Sequence, residues 1–458
     1  YGLDGSDQDG SRFGENTEYR GALCGKRRDR MIGPLFIVFF ILLFIGTPIS
    51  LALVFSAMIA GVVFGDITIV SLAQKYFRSA ESFTLMAVPF FILAGNIMAR
   101  GGVSKRLTDM ASAAVGRTTG GLAMVATIAC TFFGALSGSA PATAAAIGAV
   151  MIPSMIDRGY ARDFSTAVCA SSGTIGLLIP PSISMVLYST TAGVSTGKMF
   201  LGGIVPGILM CLALMLVEYL ISRKNGWRGG EKATLKAFFA AMKNGIWALL
   251  MPLIILGGIY LGIFTATESA AVAVVYGVIV GAFVYRELNW KELWGILKDT
   301  AASSATLMFL VAGADIFSYI LTVERIPQLF ANTVLGLSDS LLVIELLMMV
   351  VLLIAGCFLE NAVAILLMTP IFVPTLQQLG ADGNDIIAFG VMMTLALAIG
   401  QITPPVGSCL FVGCDIGKIS IEKLSKVCIP FLLALIAVLF LLVLIPSLIT
   451  FIPMASGL

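Results

Sequence analysis

GLLIPPSI (residues 176–183) and GQITPPVG (residues 400–407) each place two consecutive prolines inside an apolar stretch. Two prolines remove two backbone donors, and the first of them bars the preceding residue from helical geometry. Each stretch therefore predicts a break in a helix. At membrane depth such a break persists only where protein buries it or where it lines a wet cavity.

The two proline pairs belong to an internal repeat. IPSMIDRGY (152–160) aligns with VPTLQQLGA (373–381) at nearly the same offset, so that Pro153 matches Pro374. A stretch of small residues precedes each alignment, FGALSGSAPAT at 133–143 and GCFLENA at 356–362. Paired interrupted segments in two halves of a chain indicate a transporter binding site. The alternative is that the two halves are copies retained for packing alone. The repeated part is, however, the part in which the helices are broken, and such breaks are costly in a membrane.

Composition excludes a soluble domain. The chain has 458 residues, of which 58% are hydrophobic and only 12% are charged, whereas soluble domains carry roughly 25% charged residues. Five long stretches contain no Asp, Glu, Lys or Arg: 31–65, 118–156, 164–197, 386–414 and 427–458. A membrane helix needs about 20 apolar residues. We therefore predict an all-α polytopic membrane protein, with an interfacial helix in the mixed segment 68–80.

The same composition argues against several other functions. The net charge of +2 is too small to indicate a nucleic-acid partner. The chain has no His and its eight Cys form no CxxC pair, so no metal or nucleophile constellation of a membrane-embedded enzyme is visible. A channel would need a pore-lining charge ring or filter. A two-fold repeat of broken segments is more typical of a transporter that works by alternating access than of a channel.

The first thirty residues differ from all that follow. They are polar and balanced in charge, and they end in a basic cluster that includes Arg27, Arg28 and Arg30. We interpret residues 1–30 as a disordered tail, or else as a linker remnant or a mis-assigned start, because Met31 looks like a natural beginning. Residues 31–458 form the membrane domain, with repeat one at about 84–200 and repeat two at about 301–427.

The broken segments are rich in neutral oxygens. Unwound carbonyls and hydroxyls can hold Na⁺ without a formal charge. Small-residue helix packing explains an isolated Ser equally well, but SGSAPAT with a Pro-Pro partner downstream favours a site. The candidate ligands are Ser137, Ser139, Gly176, Ile179 and Pro181 in the first half and Gly400, Thr403 and Val406 in the second, with Glu360 and Asn361 nearby.

Acidic residues inside apolar sequence are functional candidates by default. They are Glu268, Asp315, Glu345, Glu360 and Asp415. Glu360 is the strongest candidate because it falls in a repeat break, and Glu345 is the weakest because a loop end could expose it. A carboxylate substrate could also be met by hydroxyls and by helix N-termini, whose dipoles favour anions.

From Met31 to about Ile452 the sequence resembles the large membrane subunit of tripartite ATP-independent periplasmic (TRAP) transporters. The stretches that carry the resemblance are AVPFFILAGNIMARGG (87–102), FGALSGSAPATAAAIG (133–148), GTIGLLIPPSI (173–183), FTATESAAVAVVYG (264–277) and IGQITPPVG (399–407). Each stretch alone would be weak, but their combination over more than nine-tenths of the chain is specific.

The resemblance implies an elevator-type secondary transporter of the larger ion-transporter superfamily. Such a protein would have about eleven transmembrane helices in inverted repeats, interleaved scaffold helices, and re-entrant hairpins near 133–156 and 355–375. Sodium ligands would fall on the eight candidates above. The substrate would lie near Ser139, Ser184, Glu360 and Asn361, although a shorter Asp is expected where Glu360 stands.

The resemblance also implies what the chain works with. Na⁺ would be the coupling ion, and no organic cofactor is expected. A small membrane subunit and a periplasmic substrate-binding protein would be partners in the bacterial inner membrane. The substrate would be an organic acid such as a C4-dicarboxylate or a sialic acid. A stand-alone Na⁺/carboxylate symporter of the same superfamily is the alternative.

Overall fold

A computed structural model describes residues 31–456 except residues 66, 116–117, 228–234, 337 and 339. The predicted tail, residues 1–30, lies outside the described residues. Within them, every regular element is a helix, which confirms the all-α prediction.

The helices follow one another with short connections. They are α1 (Ile32–Phe44), α2 (Ile49–Ile59), α3 (Ile69–Ala80), α4 (Ala87–Arg100), α5 (Val103–Val115), α6 (Gly121–Ser137), α7 (Ala140–Asp157), α8 (Arg162–Gly173), α9 (Ile183–Ala192), α10 (Thr196–Asn225), α11 (Leu235–Tyr260), α12 (Ala266–Ile279), α13 (Trp290–Val323), α14 (Ile326–Leu335), α15 (Leu341–Phe358), α16 (Asn361–Gln378), α17 (Gly383–Gly400), α18 (Ser408–Gly417), α19 (Ile421–Leu444) and α20 (Ser447–Ala455).

The chain divides into two compact units. One comprises the described residues up to Glu81 together with Leu307–Phe330. In this unit the ring of Phe317 in α13 packs on Phe36 and Phe39 of α1, with centroids 5.8 and 5.5 Å away. Its third helix, α3, covers the segment for which an interfacial helix is predicted, and it is amphipathic and buries Leu72.

The second unit comprises Ser82–Thr306 and Ala331–Leu458 and contains both proline breaks. Its helices repeat one order: two helical arms joined at a tight tip, a third helix, a Pro-Pro break, and a short helix. The order is α6, α7, α8, break and α9 in the first half, and α15, α16, α17, break and α18 in the second. The sequence repeat therefore coincides with a repeated order of helices.

Length and hydropathy identify the membrane-spanning candidates. Nine of the described helices are long and apolar enough to cross a bilayer, and four shorter apolar helices, among them α6 and α18, accompany them. The most enclosed candidate is α17, with 83% of its apolar window buried. Since α17 leads directly into the second break, the protein core lies beside the interrupted segments.

Candidate functional site

The first hairpin turns within two residues. Helix α6 ends at Ser137, Gly138 adopts the left-handed conformation with φ of 61°, and Ser139 is extended before α7 begins. The N–H of Gly138 donates to the carbonyl of Gly134 at 2.9 Å. A side chain at Gly138 would be strained in this conformation, so glycine allows the chain to reverse here.

A small network of hydroxyl groups occupies the tip of this hairpin. The hydroxyls of Ser137 and Thr143 lie 2.8 Å apart, and Thr143 Oγ1 donates to the carbonyl of Ser139 at 2.7 Å. Among the described residues, the Ser139 hydroxyl makes no capping bond to α7. Sequence reasoning missed Thr143, although its place one helical turn after Ser139 could have indicated the contact.

The hairpin rests on the first break through two glycines. A Cβ added to Gly134 would lie 2.5 Å from the Cα of Gly176. A Cβ on Gly176 would lie 2.7 Å from Thr143 Oγ1 and 3.3 Å from the carbonyl oxygen of Ser139. The structure therefore brings Ser137, Ser139 and Gly176 together, as the candidate sodium site requires.

The first break itself is almost wholly buried. After α8 the chain forms a 3₁₀ turn over Thr174–Leu177 and then the cis peptide bond Pro180–Pro181. The Ser182 hydroxyl donates to the carbonyl of Leu177 at 2.5 Å and caps α9. The Pro181 carbonyl faces Gly138. The side chain of Ile179 instead packs on Gly207 of α10, so only its backbone could serve a cation.

The second hairpin has the same backbone plan with different side chains. Helix α15 ends at Phe358, and the extended residue Glu360 caps α16. Its carboxylate accepts from the N–H of Ala362 at 3.0 Å. Glu360 takes the place that Ser139 holds in the first hairpin, so the one negative charge in the repeat breaks sits on a helix N-terminus.

The second break also rests on its hairpin through two glycines. A Cβ on Gly400 would lie 2.5 Å from the oxygen and 2.6 Å from the Cα of Gly356. The hydroxyl of Thr403 donates to the carbonyl of Ile399 at 2.8 Å, and the N–H of Val406 donates to the carbonyl of Cys357 at 3.2 Å. Around the cis bond Pro404–Pro405, residues 404–406 are exposed.

The start of α9 touches both hairpin tips. On one side, Gly138 lies against the backbone of Ile183. On the other, the side-chain amide of Asn361 donates to the hydroxyl of Ser184, and both side chains are buried. Asn361 Oδ1 has no hydrogen-bond partner among the described residues. The candidate substrate residues Ser184 and Asn361 therefore meet. Glu360 precedes Asn361 in the chain, and Ser139 follows Gly138, which lies against Ile183.

This arrangement of paired hairpins and breaks coincides with a family match. Residues 36–448 match the family described as "Tripartite ATP-independent periplasmic transporter, DctM component". The chain belongs to this family. This membership confirms the resemblance drawn from the sequence. It also confirms two predictions: that the chain is a multi-pass protein of the inner membrane, and that it is a transporter permease rather than an enzyme.

Curated relatives of this DctM family member extend over most of its length. It is 44% identical over 414 residues to the isethionate TRAP transporter permease protein DctMQ of Oleidesulfovibrio alaskensis, covering 90% of this chain and 65% of that protein. The chain thus spans less than two thirds of that relative. It is 42% identical to the C4-dicarboxylate TRAP transporter large permease protein DctM of Pseudomonas aeruginosa, covering 82% and 88% of the two chains.

A solved structure shares the fold. The crystal structure of the Alcanivorax borkumensis YdaH transporter, described as having an unusual topology, aligns with a TM-score of 0.59 over 81% of this chain and 86% of that one. The sequence identity is 15%, so the similarity concerns the fold alone.

The acidic residues that the sequence singled out in this DctM family member have different surroundings in the structure. Asp315 pairs with Lys75 at 3.3 Å, and the exposed Asp415 pairs with Lys418 at 2.9 Å. Glu268 forms a capping box with Thr265 at the start of α12. Each of these three acids therefore has a structural partner. Contrary to expectation, Glu345 is not exposed at a loop end but buried in α15.

Sequence reasoning also missed an acid that the structure buries. Glu218, in α10, is fully buried next to Thr127 of α6. In the sequence it stands five residues before Arg223 and looks like the polar end of a helix. Only the packing of α10 on α6 shows that its side chain points inward.

Proposed function

We propose that this DctM family member imports an organic acid across the inner membrane, driven by a Na⁺ gradient. It would work with a small membrane subunit and a periplasmic substrate-binding protein, as the tripartite family description implies. The relatives named above carry C4-dicarboxylate and isethionate in their names, and both are organic anions. The isethionate relative carries the name DctMQ and is longer than this chain, so the proposed small-subunit part could lie on the same polypeptide or on a separate one.

The paired glycine contacts carry the sodium proposal. In each half, a hairpin arm approaches a proline break so closely that only glycine fits, at Gly134 with Gly176 and at Gly356 with Gly400. The breaks leave carbonyls without helical donors, and hydroxyls lie beside them. Neutral oxygens suit a hard monovalent cation better than a proton, which needs a titratable base. The proposed ligands are Ser137, Ser139, Gly176, Ile179, Pro181, Gly400, Thr403 and Val406.

The start of α9 supports a substrate site between the hairpin tips. The N-termini of α7 and α9 lie close together through Gly138 and Ile183, and helix N-termini attract anions. Asn361 Oδ1 has no partner within the described residues and could accept a hydrogen bond from a substrate hydroxyl. We assign Ser139, Ser184, Asn361 and Glu360 to this site, with Glu360 shaping it through its cap on α16.

We further propose an elevator cycle in which both hairpins move together. Two contacts at α9 support it: Gly138 against Ile183, and Asn361 with Ser184. They join the first hairpin to the second through one short helix. A movement of one tip relative to the other would break a buried hydrogen bond, so the two tips are more easily carried as one body.

Sodium binding can be tested without knowing the substrate. A ligand that binds only the folded state raises the unfolding midpoint as its concentration rises. We expect NaCl to stabilise the purified chain in nanodiscs, and KCl at equal ionic strength to do so much less. Ser137→Ala should weaken this response. Ser154→Ala, farther along α7, removes a hydroxyl that donates to the carbonyl of Val150 and should leave the response unchanged. Equal stabilisation by both salts would refute the sodium proposal.

Transport needs a separate experiment with partners. Proteoliposomes should contain the chain, the small subunit and candidate binding proteins loaded with C4-dicarboxylates, sialic acids or isethionate. We expect uptake driven by a Na⁺ gradient, and little uptake by the isolated chain. Robust uptake by the isolated chain would favour the stand-alone symporter. Equal uptake on a proton gradient without Na⁺ would exclude sodium coupling.

A further inference from the structure

A carboxyl group lies buried where three helices of the second unit meet. Glu218 of α10 has no accessible surface. Its Oε1 accepts from the hydroxyl of Thr127 in α6, and Thr127 Oγ1 lies 2.6 Å from the hydroxyl of Ser172 in α8. Three side chains from three helices thus form one hydrogen-bonded cluster, which contains none of the proposed sodium ligands.

The cluster offers too few partners to stabilise an ionised Glu218 carboxylate. Glu218 Oε2 has no hydrogen-bond partner among the described residues. Over the same residues, no Lys or Arg forms a salt bridge with Glu218. An ionised carboxylate without a cation and with one oxygen unsatisfied is strongly disfavoured in a buried site. The geometry therefore calls for a positive ligand.

The titratable groups around Glu218 are all of kinds that are neutral at neutral pH. They are Cys130 of α6, Cys169 of α8, Cys211 of α10 itself and Tyr160 of the loop before α8. Burial raises the pKa of the Tyr160 hydroxyl, so it stays protonated. The other helices that pack on α10, namely α9, α11, α17, α19 and α20, place no acidic or basic group against Glu218 within the described residues.

We propose that Glu218 is a proton-binding site and that its side chain is uncharged in the folded protein. A proton requires no cavity, whereas Na⁺ needs several oxygens around an open centre. Thr127 Oγ1 is already within hydrogen-bond distance of both its neighbours, which leaves no such centre. The protonated carboxyl then joins α10 to α6 and α8 as a neutral hydrogen-bonding group.

The proposed proton site lies on the helices that support the first hairpin, so the bound proton would stabilise that hairpin. Thr127 stands ten residues before Ser137 on α6, which is about 15 Å along a helix. Ser172 stands four residues before Gly176. The same two elements therefore carry the proton site and the first proposed sodium site. Loss of the proton would place an uncompensated charge between α6, α8 and α10 and would loosen the support of the hairpin.

Infrared difference spectroscopy tests the proposal directly. An ordinary solvated glutamate is ionised at neutral pH, so a protonated carboxyl band at that pH is diagnostic. With the full chain in nanodiscs, we expect the wild type to show a protonated carboxyl band that Glu218→Gln lacks. Replacing Na⁺ by K⁺ should leave the band unchanged. Glu268→Gln, which alters an exposed capping box, should keep the band and serves as the control.

Two results would overturn the proposal. If Glu218→Gln removes no protonated band, the carboxyl is ionised. If the band is present in K⁺ and absent in Na⁺, the site binds a metal cation instead. Should Glu218→Gln fail to fold, Thr127→Val provides the second measurement. Loss of its hydroxyl bond to Oε1 should shift the band to higher frequency, and an unshifted band would contradict the assignment to Glu218. The readout is independent of transport, so it does not depend on sodium coupling.

Discussion

The first hairpin with its break, residues 121–182, and the second, residues 341–407, differ in burial and in polar groups. The first break is almost wholly enclosed, and its tip carries the hydroxyls of Ser137 and Thr143. The second break exposes residues 404–406, and its tip carries Glu360 and Asn361. The two halves thus offer a closed candidate site lined by hydroxyls and a more open candidate site beside a charge and an amide.

What the halves share lies in the backbone. Each has a glycine in the first hairpin arm against a glycine at the start of the break, an extended residue at the tip and a cis Pro-Pro bond. The backbone plan therefore needs glycine and proline at fixed places, whereas the side chains at the tips are free to differ. We infer that the glycine pairs hold the architecture and the tip side chains set the chemistry.

The largest effect should come from filling a glycine contact. Gly400→Ala would put a Cβ within 2.6 Å of the Cα of Gly356, which side-chain rotation cannot relieve. We expect a loss of about 3 kcal/mol in the free energy of unfolding, measured by denaturation in detergent. Gly383→Ala, on the same helix, is the control because its added Cβ would meet nothing within 4 Å apart from its chain neighbours and its own helix backbone. Equal stability of both variants would refute the role of the glycine pair.

The next effect concerns the bond between the second tip and α9. Asn361→Ala would leave the buried hydroxyl of Ser184 without its donor, and we expect a cost of about 2 kcal/mol in the free energy of unfolding. Ser184→Ala should cost less, and the double variant should cost less than the two changes added together. Strict additivity would show that the two side chains do not depend on each other.

A smaller effect is expected on Na⁺ binding when a hydroxyl is removed, and it should differ between the two halves. Ser139→Ala should raise the Na⁺ concentration for half-maximal stabilisation about 5-fold, corresponding to about 1 kcal/mol. Thr403→Ala should raise it less, because the Thr403 hydroxyl already donates to the carbonyl of Ile399. Titration of the unfolding midpoint with NaCl measures both. If neither substitution changes the Na⁺ response, the two-site sodium proposal fails.

The smallest effect tests the charge at the second tip. Glu360→Gln keeps an oxygen that can cap α16, so we expect the free energy of unfolding to change by less than about 0.5 kcal/mol. Glu360→Ala removes the cap and should cost about 1 kcal/mol. Both can be measured by the same denaturation in detergent. A large loss in Glu360→Gln would show that the negative charge itself, rather than the cap, supports the hairpin.

The breaks could be predicted from the sequence because their cause is local. Consecutive prolines remove two backbone donors and disfavour helical geometry at the residues before them. In the structure no helix includes Pro180 or Pro404. The small residues before each pair likewise predicted the hairpins. Neighbouring ligand candidates such as Ser137 and Gly176 came together because each sits at one of these interruptions.

The remaining features depend on which helix packs against which. The fit of Gly400 on Gly356 and the inward turn of Glu218 toward Thr127 arise between elements distant in sequence. The pairing of Thr143 with Ser137 depends on how α7 folds back on α6. The acid at Glu268 shows the converse. An apolar neighbourhood suggested a buried charge, yet a local capping box with Thr265 accounts for it.

The short helix α9 gives the two halves a common support. Its first residues contact the first tip at Gly138 and the second tip at Asn361. A ligand that stabilises one hairpin tip therefore also stabilises α9, on which the other tip packs. Cations bound at the two breaks would then be cooperative: occupation of either site would lower the concentration needed to fill the other, by the same factor in both directions.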